Sequence, residues 1–208
     1  MTSSPTHTAD NAVELSAVHK SFGSKQFLKG IDLAIGQGQS VVVIGGSGSG
    51  KSVMMKTILG LLKPDTGSIK VNGTETTSLK EAQQHEINKQ FGMLFQNGAL
   101  FDSLQIWENV AFSARQNRNC SQDEGRAIAL SALERVGLGA EFLDKSPAEI
   151  SGGMHKRVGL ARAIADQPKI IFFDEPTTGL DPIMTDAINH LIRDCVRDLG
   201  AATLTITH

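Results

Sequence analysis

The stretch that most constrains this chain runs Val41-Val42-Val43-Ile44-Gly45-Gly46-Ser47-Gly48-Ser49-Gly50-Lys51-Ser52. Four β-branched residues in a row read as a strand buried on both faces, and from Gly45 the sequence meets G-x-x-x-x-G-K-[ST] in full. Val53-Met54-Met55-Lys56-Thr57-Ile58-Leu59 follows as an apolar helix candidate. A flexible Gly/Ser linker does not account for strand, loop and helix in that order. Backbone N–H groups converge on a polyphosphate only where no Cβ blocks the approach, which explains glycines at 45, 46, 48 and 50. The helix N-terminus aims its N–H groups and dipole at the same anion. Lys51 adds a mobile positive charge, and the Ser52 hydroxyl is a ligand for the Mg²⁺ that accompanies a nucleotide.

With 208 residues and 40% hydrophobic content the chain suits one large domain, or a domain with an inserted subdomain. A net charge of −2 gives no electrostatic reason to expect nucleic acid as a partner. Cys120 and Cys195 lie far apart without metal-binding spacing, which favours free thiols in a reducing compartment. No apolar run approaches the roughly 20 residues that cross a bilayer, and the first ten residues lack a signal-peptide core. Service to a membrane is therefore expected through a partner.

Residues 1–11 read as a disordered tail. From Ala12 to Ile35, alternations such as Ile31-Asp32-Leu33-Ala34-Ile35 predict half-exposed antiparallel strands. Phe22 precedes a turn, as a core residue or as an aromatic on which a nucleobase stacks. Ile69-Lys70-Val71 leads into an Asn72-Gly73 hairpin turn. Residues 74–90 read as polar surface, and Phe91-Gly92-Met93-Leu94-Phe95 as a second buried strand ending on Gln96. A helical stretch follows, with a capping box at Ser121-Gln122-Asp123-Glu124 and a stop at Gly137. Ser151 caps the next helix, Ile170-Ile171-Phe172-Phe173 is a third buried strand, and Asp181-Pro182 opens a helix closed by Gly200. Thr203-Leu204-Thr205-Ile206-Thr207 is the last strand, ending on His208.

Alternating strands and helices predict a parallel α/β sheet, in which ligands lie beyond the carboxyl ends of the strands. Four such ends carry functional side chains: the phosphate loop, Gln96, Asp174/Glu175 and His208. Asp174 closes an apolar strand, where a carboxylate calls for a partner, and is assigned to the Mg²⁺ shell. Glu175, on an extended backbone, would point the other way and address a water. The alternative is a capping or salt-bridged acidic pair. Gln96, otherwise a turn residue, has an amide able to ligate Mg²⁺ or to orient water.

From residue 13 onward these features resemble the ATP-binding subunits of ABC transporters. Ile150-Ser151-Gly152-Gly153-Met154 looks like their LSGGQ signature, Thr178-Gly179-Leu180-Asp181 like their D-loop, Gln96 like their Q-loop glutamine and His208 like their switch histidine. The resemblance implies a P-loop NTPase over residues 12–208, of mostly parallel core sheet, with an N-terminal antiparallel β subdomain and a helical subdomain inserted at about 97–165. It implies ATP and Mg²⁺ as cofactors and a head-to-tail dimer, each ATP lying between one P-loop and the partner's Ser151, Gly152 and Gly153. It also implies Glu175 as the residue that polarises the attacking water, with His208 and Gln96 assisting.

Met154 departs from the signature glutamine. SGGM, Gly50-Lys51-Ser52-Val53 and Met93-Leu94-Phe95-Gln96-Asn97-Gly98-Ala99-Leu100-Phe101 are similar to the Mla-type phospholipid transport ATPases, which work with an integral permease and MCE-domain proteins. That likeness implies a peripheral subunit on the cytoplasmic face of the inner membrane. Phe101, Leu104, Ile106 and Trp107 are expected to line the permease groove or to form subdomain core. Family members continue past the switch histidine, so the chain is expected to be truncated, with His208 poorly ordered. A non-transport ABC ATPase acting on nucleic acid or ribosomes is the alternative, disfavoured by the acidic balance.

Overall fold

The computed structural model describes residues 11–208. The expected tail lies outside them except for Asn11, which already opens the first strand. The chain divides into two compact units: residues 11–90 with Ala202–His208, and Phe91–Ala201.

In the first unit β1 (Asn11–Phe22), β2 (Lys25–Gly36), β4 (Thr66–Val71) and β5 (Thr74–Glu75) form an antiparallel sheet in the order β2-β1-β4-β5. Ala12, Val13, Leu15, Val18, Leu28, Ile35, Ile69 and Val71 are its buried side chains. A bulge puts Ala17 at φ 46°, and Gly67 crosses there so closely that a Cβ would stand 2.5 Å from the Ala17 carbonyl oxygen. Asn72 and Gly73, at φ 46° and 76°, make the tight β4–β5 turn.

β3 (Ser40–Ile44) pairs in parallel with β8 (Ala202–Thr207), Ile44 opposite Thr207. β3 is not buried on both faces: Val41 and Val43 are half-buried, but Val42 and Ile44 are 56% and 72% exposed. A run of β-branched residues reports strand preference, whereas burial of each face depends on what packs over it. α1 (Lys51–Ile58) follows the phosphate loop. Residues 74–90 lie mostly at the surface, as expected, with only Thr76 and Ile87 buried. They include α2 (Glu81–Asn88), in which only Ile87 is buried and whose first turn is capped by Gln83 Oε1 accepting from the Lys80 N–H at 3.1 Å.

The second unit is built on β6 (Phe91–Leu94) and β7 (Ile170–Asp174), parallel and in register from Phe91–Ile170 to Leu94–Phe173. Phe95 lies beyond β6 and is exposed. Around them lie α3 (Ile106–Val110), α4 (Phe112–Arg118), α5 (Gln122–Arg135), α6 (Gly152–Ile164) and α7 (Pro182–Leu199). Ile106 and Trp107 are buried in the core with Val110, Leu133, Val158 and Phe173, so neither is exposed for a partner. The caps are as the sequence predicts. Ser121 exchanges bonds with Glu124, Ser151 accepts from the Met154 N–H, Asp181 accepts from Ile183 and Met184, and Gly200 closes α7 at φ 61°. The helices of 97–165 share their unit with β6, β7 and α7.

Candidate functional site

The predicted site residues fall in two groups, one in each unit. In the first, β3 delivers the chain into the phosphate loop and β8 runs beside it, with the Gly45 N–H donating to the Thr207 carbonyl at 3.3 Å. His208, exposed, follows immediately. The loop turns back through Gly48 and Gly50 at φ 75° and 98°, left-handed values that favour glycine. At Gly46 and Gly48 a Cβ would meet nothing within 4 Å, whereas at Gly50 it would stand 2.8 Å from the Phe27 carbonyl oxygen.

Lys51 is 8% exposed, its ammonium donating to the Gly45 carbonyl and, at 3.2 Å, to that of Gly46. An ammonium that bonds two loop carbonyls keeps its positive charge at the loop, which suits an anion entering there. Ser52 is exposed on the first turn of α1. Phe22 is exposed at the end of β1, edge-on to Phe27 with Lys20 5.4 Å from its ring centroid, so it is not a core residue. A cavity of roughly 880 Å³ lies elsewhere in this unit, between the end of α1 and α2 near Leu61, Leu79, Gln84 and Asn88, and no phosphate-loop residue lines it.

In the second unit the Gln96 amide donates to Glu175 Oε2 at 3.0 Å, and the Thr178 hydroxyl donates to the same oxygen at 3.2 Å. Glu175 is not on an extended backbone. Its φ is 46°, left-handed, because β7 ends at Asp174 and the chain turns at once, the Thr178 N–H reaching the Glu175 carbonyl at 3.3 Å. Such a conformation in a non-glycine residue is a strain found disproportionately at functional sites.

Lys156, which sequence reasoning passed over, is 5% exposed and donates to the Gln96 carbonyl. Burial pushes its pKa down, against the opposing pull of Glu175 and then Asp174. The available signal was its place on α6 in line with Gly159, Leu160 and Ala163, all buried: a charge on an apolar face. The first turn of α6 presents Ser151 and Gly152 in the open, with nothing near a Cβ at Gly152, while Gly153 lies under Met184. Met154 packs against the core, which accounts for an apolar residue at that position.

Among the described residues no three His, Cys, Asp or Glu cluster as a metal site. Magnesium carried by a nucleotide needs only one or two protein oxygens, the rest coming from phosphates and water. The Ser52 hydroxyl, the Asp174 carboxylate and the Gln96 amide are donors of that type. No helix of the described residues is long and apolar enough to cross a membrane.

The sequence profile of the ABC transporter family matches residues 28–178. The chain is 43% identical over 197 residues to a protein of Mycobacterium leprae named as a probable ribonucleotide transport ATP-binding protein, covering 95% of this chain and 56% of that one. It is 38% identical over 199 residues to the intermembrane phospholipid transport system ATP-binding protein MlaF of Haemophilus influenzae, covering 95% and 75%. It thus spans about half the length of the mycobacterial relatives. Among solved structures, an ATP-binding cassette captured as a dimer in a post-hydrolysis state with ADP and Pi superposes with a TM-score of 0.84 at 33% identity, covering 94% of this chain and 88% of that one.

Proposed function

Because this chain belongs to the ABC transporter family, we propose that it is the ATP-binding and ATP-hydrolysing part of a transporter, acting as a head-to-tail dimer beneath an integral permease. The observation that carries the reading is the glycine-lined phosphate loop, with the Lys51 ammonium bonded to its Gly45 and Gly46 carbonyls. Backbone N–H groups of residues 45–52 and Lys51 hold the phosphates, and Phe22 offers an exposed ring for the base. Ser151, Gly152 and Gly153 of the second copy close the other side of the nucleotide, a side-chain-poor helix N-terminus facing its γ-phosphate.

Glu175 polarises the attacking water, held by Gln96 and Thr178 on one oxygen. His208 contacts the γ-phosphate and Asp181 the facing subunit. Mg²⁺, held by Ser52, Gln96 and Asp174, would neutralise charge on the phosphates. The permease docks on the exposed rings of Phe95 and Phe101, which flank the Arg162 guanidinium at 5.9 Å each.

The cargo we favour is phospholipid, moved between inner and outer membranes with an MCE-domain protein, the chain sitting on the cytoplasmic face of the inner membrane. The MlaF relative, most of whose length is covered, supports it. The mycobacterial relatives' names support ribonucleotide as a second reading. Purifying the full-length protein with its membrane partners and identifying the co-purified molecule separates the two. Lys51→Ala should abolish ATP binding. Glu175→Gln should keep binding, trap the dimer and slow hydrolysis by about 10²–10⁴-fold; normal binding by the first variant or normal turnover by the second would remove the assignment.

A further inference from the structure

The structure ties α6 to the loop after β6 with more than packing. The Lys156 ammonium donates to the Gln96 carbonyl, and the Arg162 guanidinium to the carbonyls of Gly98 and Ala99 at 2.6 and 2.7 Å. Between these bonds the backbones come as close as glycine allows. A Cβ on Gly159 would stand 3.0 Å from Gly98 Cα, and one on Gly98 2.8 Å from the His155 carbonyl oxygen. Residues 96–99 therefore ride on α6, whose N-terminus is the signature Ser151–Gly153 stretch, while the Gln96 side chain reaches across to Glu175.

We propose that Lys156 is a positioning residue for hydrolysis: by holding the Gln96 carbonyl it keeps the Gln96 amide on Glu175, and so links the signature end of α6 to the carboxylate of its own subunit. An apolar side chain would fill the same space on α6. A charged group in a residue only 5% exposed is costly unless it is paired, and here it donates to a loop carbonyl with the charges of Glu175 and Asp174 nearby, which fixes the loop at one defined place. The consequence is coupling. A nucleotide of the second copy, seated against Ser151, Gly152 and Gly153, shifts α6 and with it Gln96, so that Glu175 is set for attack only when the signature is engaged. This rests on the ATPase reading above.

The test is Lys156→Met, which keeps the length and loses the charge, in the full-length protein with its permease. Its kcat should fall by about 10-fold or more with the KM for ATP changed less than 2-fold, because the phosphate loop is untouched. Lys156→Arg should recover most of the rate. In a Gln96→Ala background Lys156→Met should add no further loss. Unchanged kcat, an undiminished effect in the Gln96→Ala background, or no rescue by arginine overturns the proposal. Amide hydrogen exchange keeps the question separate from turnover: in nucleotide-free Lys156→Met, residues 97–99 should exchange faster while β1 and β2 do not. If that loop exchanges as in wild type, the link is absent. If wild type shows the link but no ATP hydrolysis, the ATPase reading fails and the link stands. Should Lys156→Met not fold, Lys156→Gln takes its place, and failure of both assigns Lys156 to stability alone and overturns the proposal.

Discussion

Glu175 offers a direct test of the strained turn at the end of β7. Its φ of 46° is left-handed, and an L-residue there costs about 1–2 kcal/mol relative to glycine. Glycine loses more backbone freedom on folding, which returns about 0.4–1 kcal/mol to the other side. Glu175→Ala and Glu175→Gly both delete the contacts with Gln96 and Thr178, so those losses cancel between the two variants. The difference that remains favours glycine by about 0.5–1 kcal/mol, the reverse of an ordinary position, where alanine would win. Urea titration of both nucleotide-free proteins, at equal m-value, reads it as a higher midpoint for the glycine variant. Both should lose ATP turnover by about 10²–10⁴-fold, so the more stable variant is as inactive as the less stable one. An alanine variant as stable as the glycine variant would refute the left-handed turn and, with it, strain as part of how the carboxylate is presented.

Gly92 lies on β6 where a Cβ would stand 2.2 Å from the Ala163 carbonyl oxygen and 2.8 Å from Pro168 Cγ, so Gly92→Ala should destabilise the protein by about 3 kcal/mol, measured by denaturant unfolding. The Glu75 carboxyl is pushed up by burial but held below its ordinary value overall by the hydroxyls of Ser68 and Thr77 and the N–H groups of Thr77 and Ile69. A carboxylate whose folded-state pKa is lowered contributes stability above its unfolded value and loses it as the pH falls through the folded one. Glu75→Gln should therefore cost about 1 kcal/mol at neutral pH, in unfolding titrations, with the gap closing in acid. Phe101→Asp, at a ring 45% exposed but 4.8 Å from that of Phe112, should cost about 1 kcal/mol in unfolding titrations while abolishing co-purification with the proposed permease; retained association would move the docking surface elsewhere.

Features made by contiguous residues were legible in the sequence. The phosphate loop, the caps at Ser121, Ser151 and Asp181, the Asn72-Gly73 turn and the Gly200 stop depend on side chains bonding their own backbone within a few positions. α2 was not legible, because with Ile87 as its one buried residue it shows no apolar stripe. Nor was the exposure of Val42 and Ile44, since a run of β-branched residues is the same whether a face is covered or bare.

The sequence by itself determined the family and the residue types available for phosphate chemistry, because a phosphate loop and its companion motifs are short stretches in a fixed order. Tertiary structure decided how those residues are aimed. Lys156 meets Gln96 across 60 positions and Gln96 meets Glu175 across 79, and a residue's own neighbours in the chain do not report such distances. The left-handed turn at Glu175, the buried Trp107 and the ammonium under the Gln96 carbonyl all follow from what packs against them, and only the folded chain specifies that.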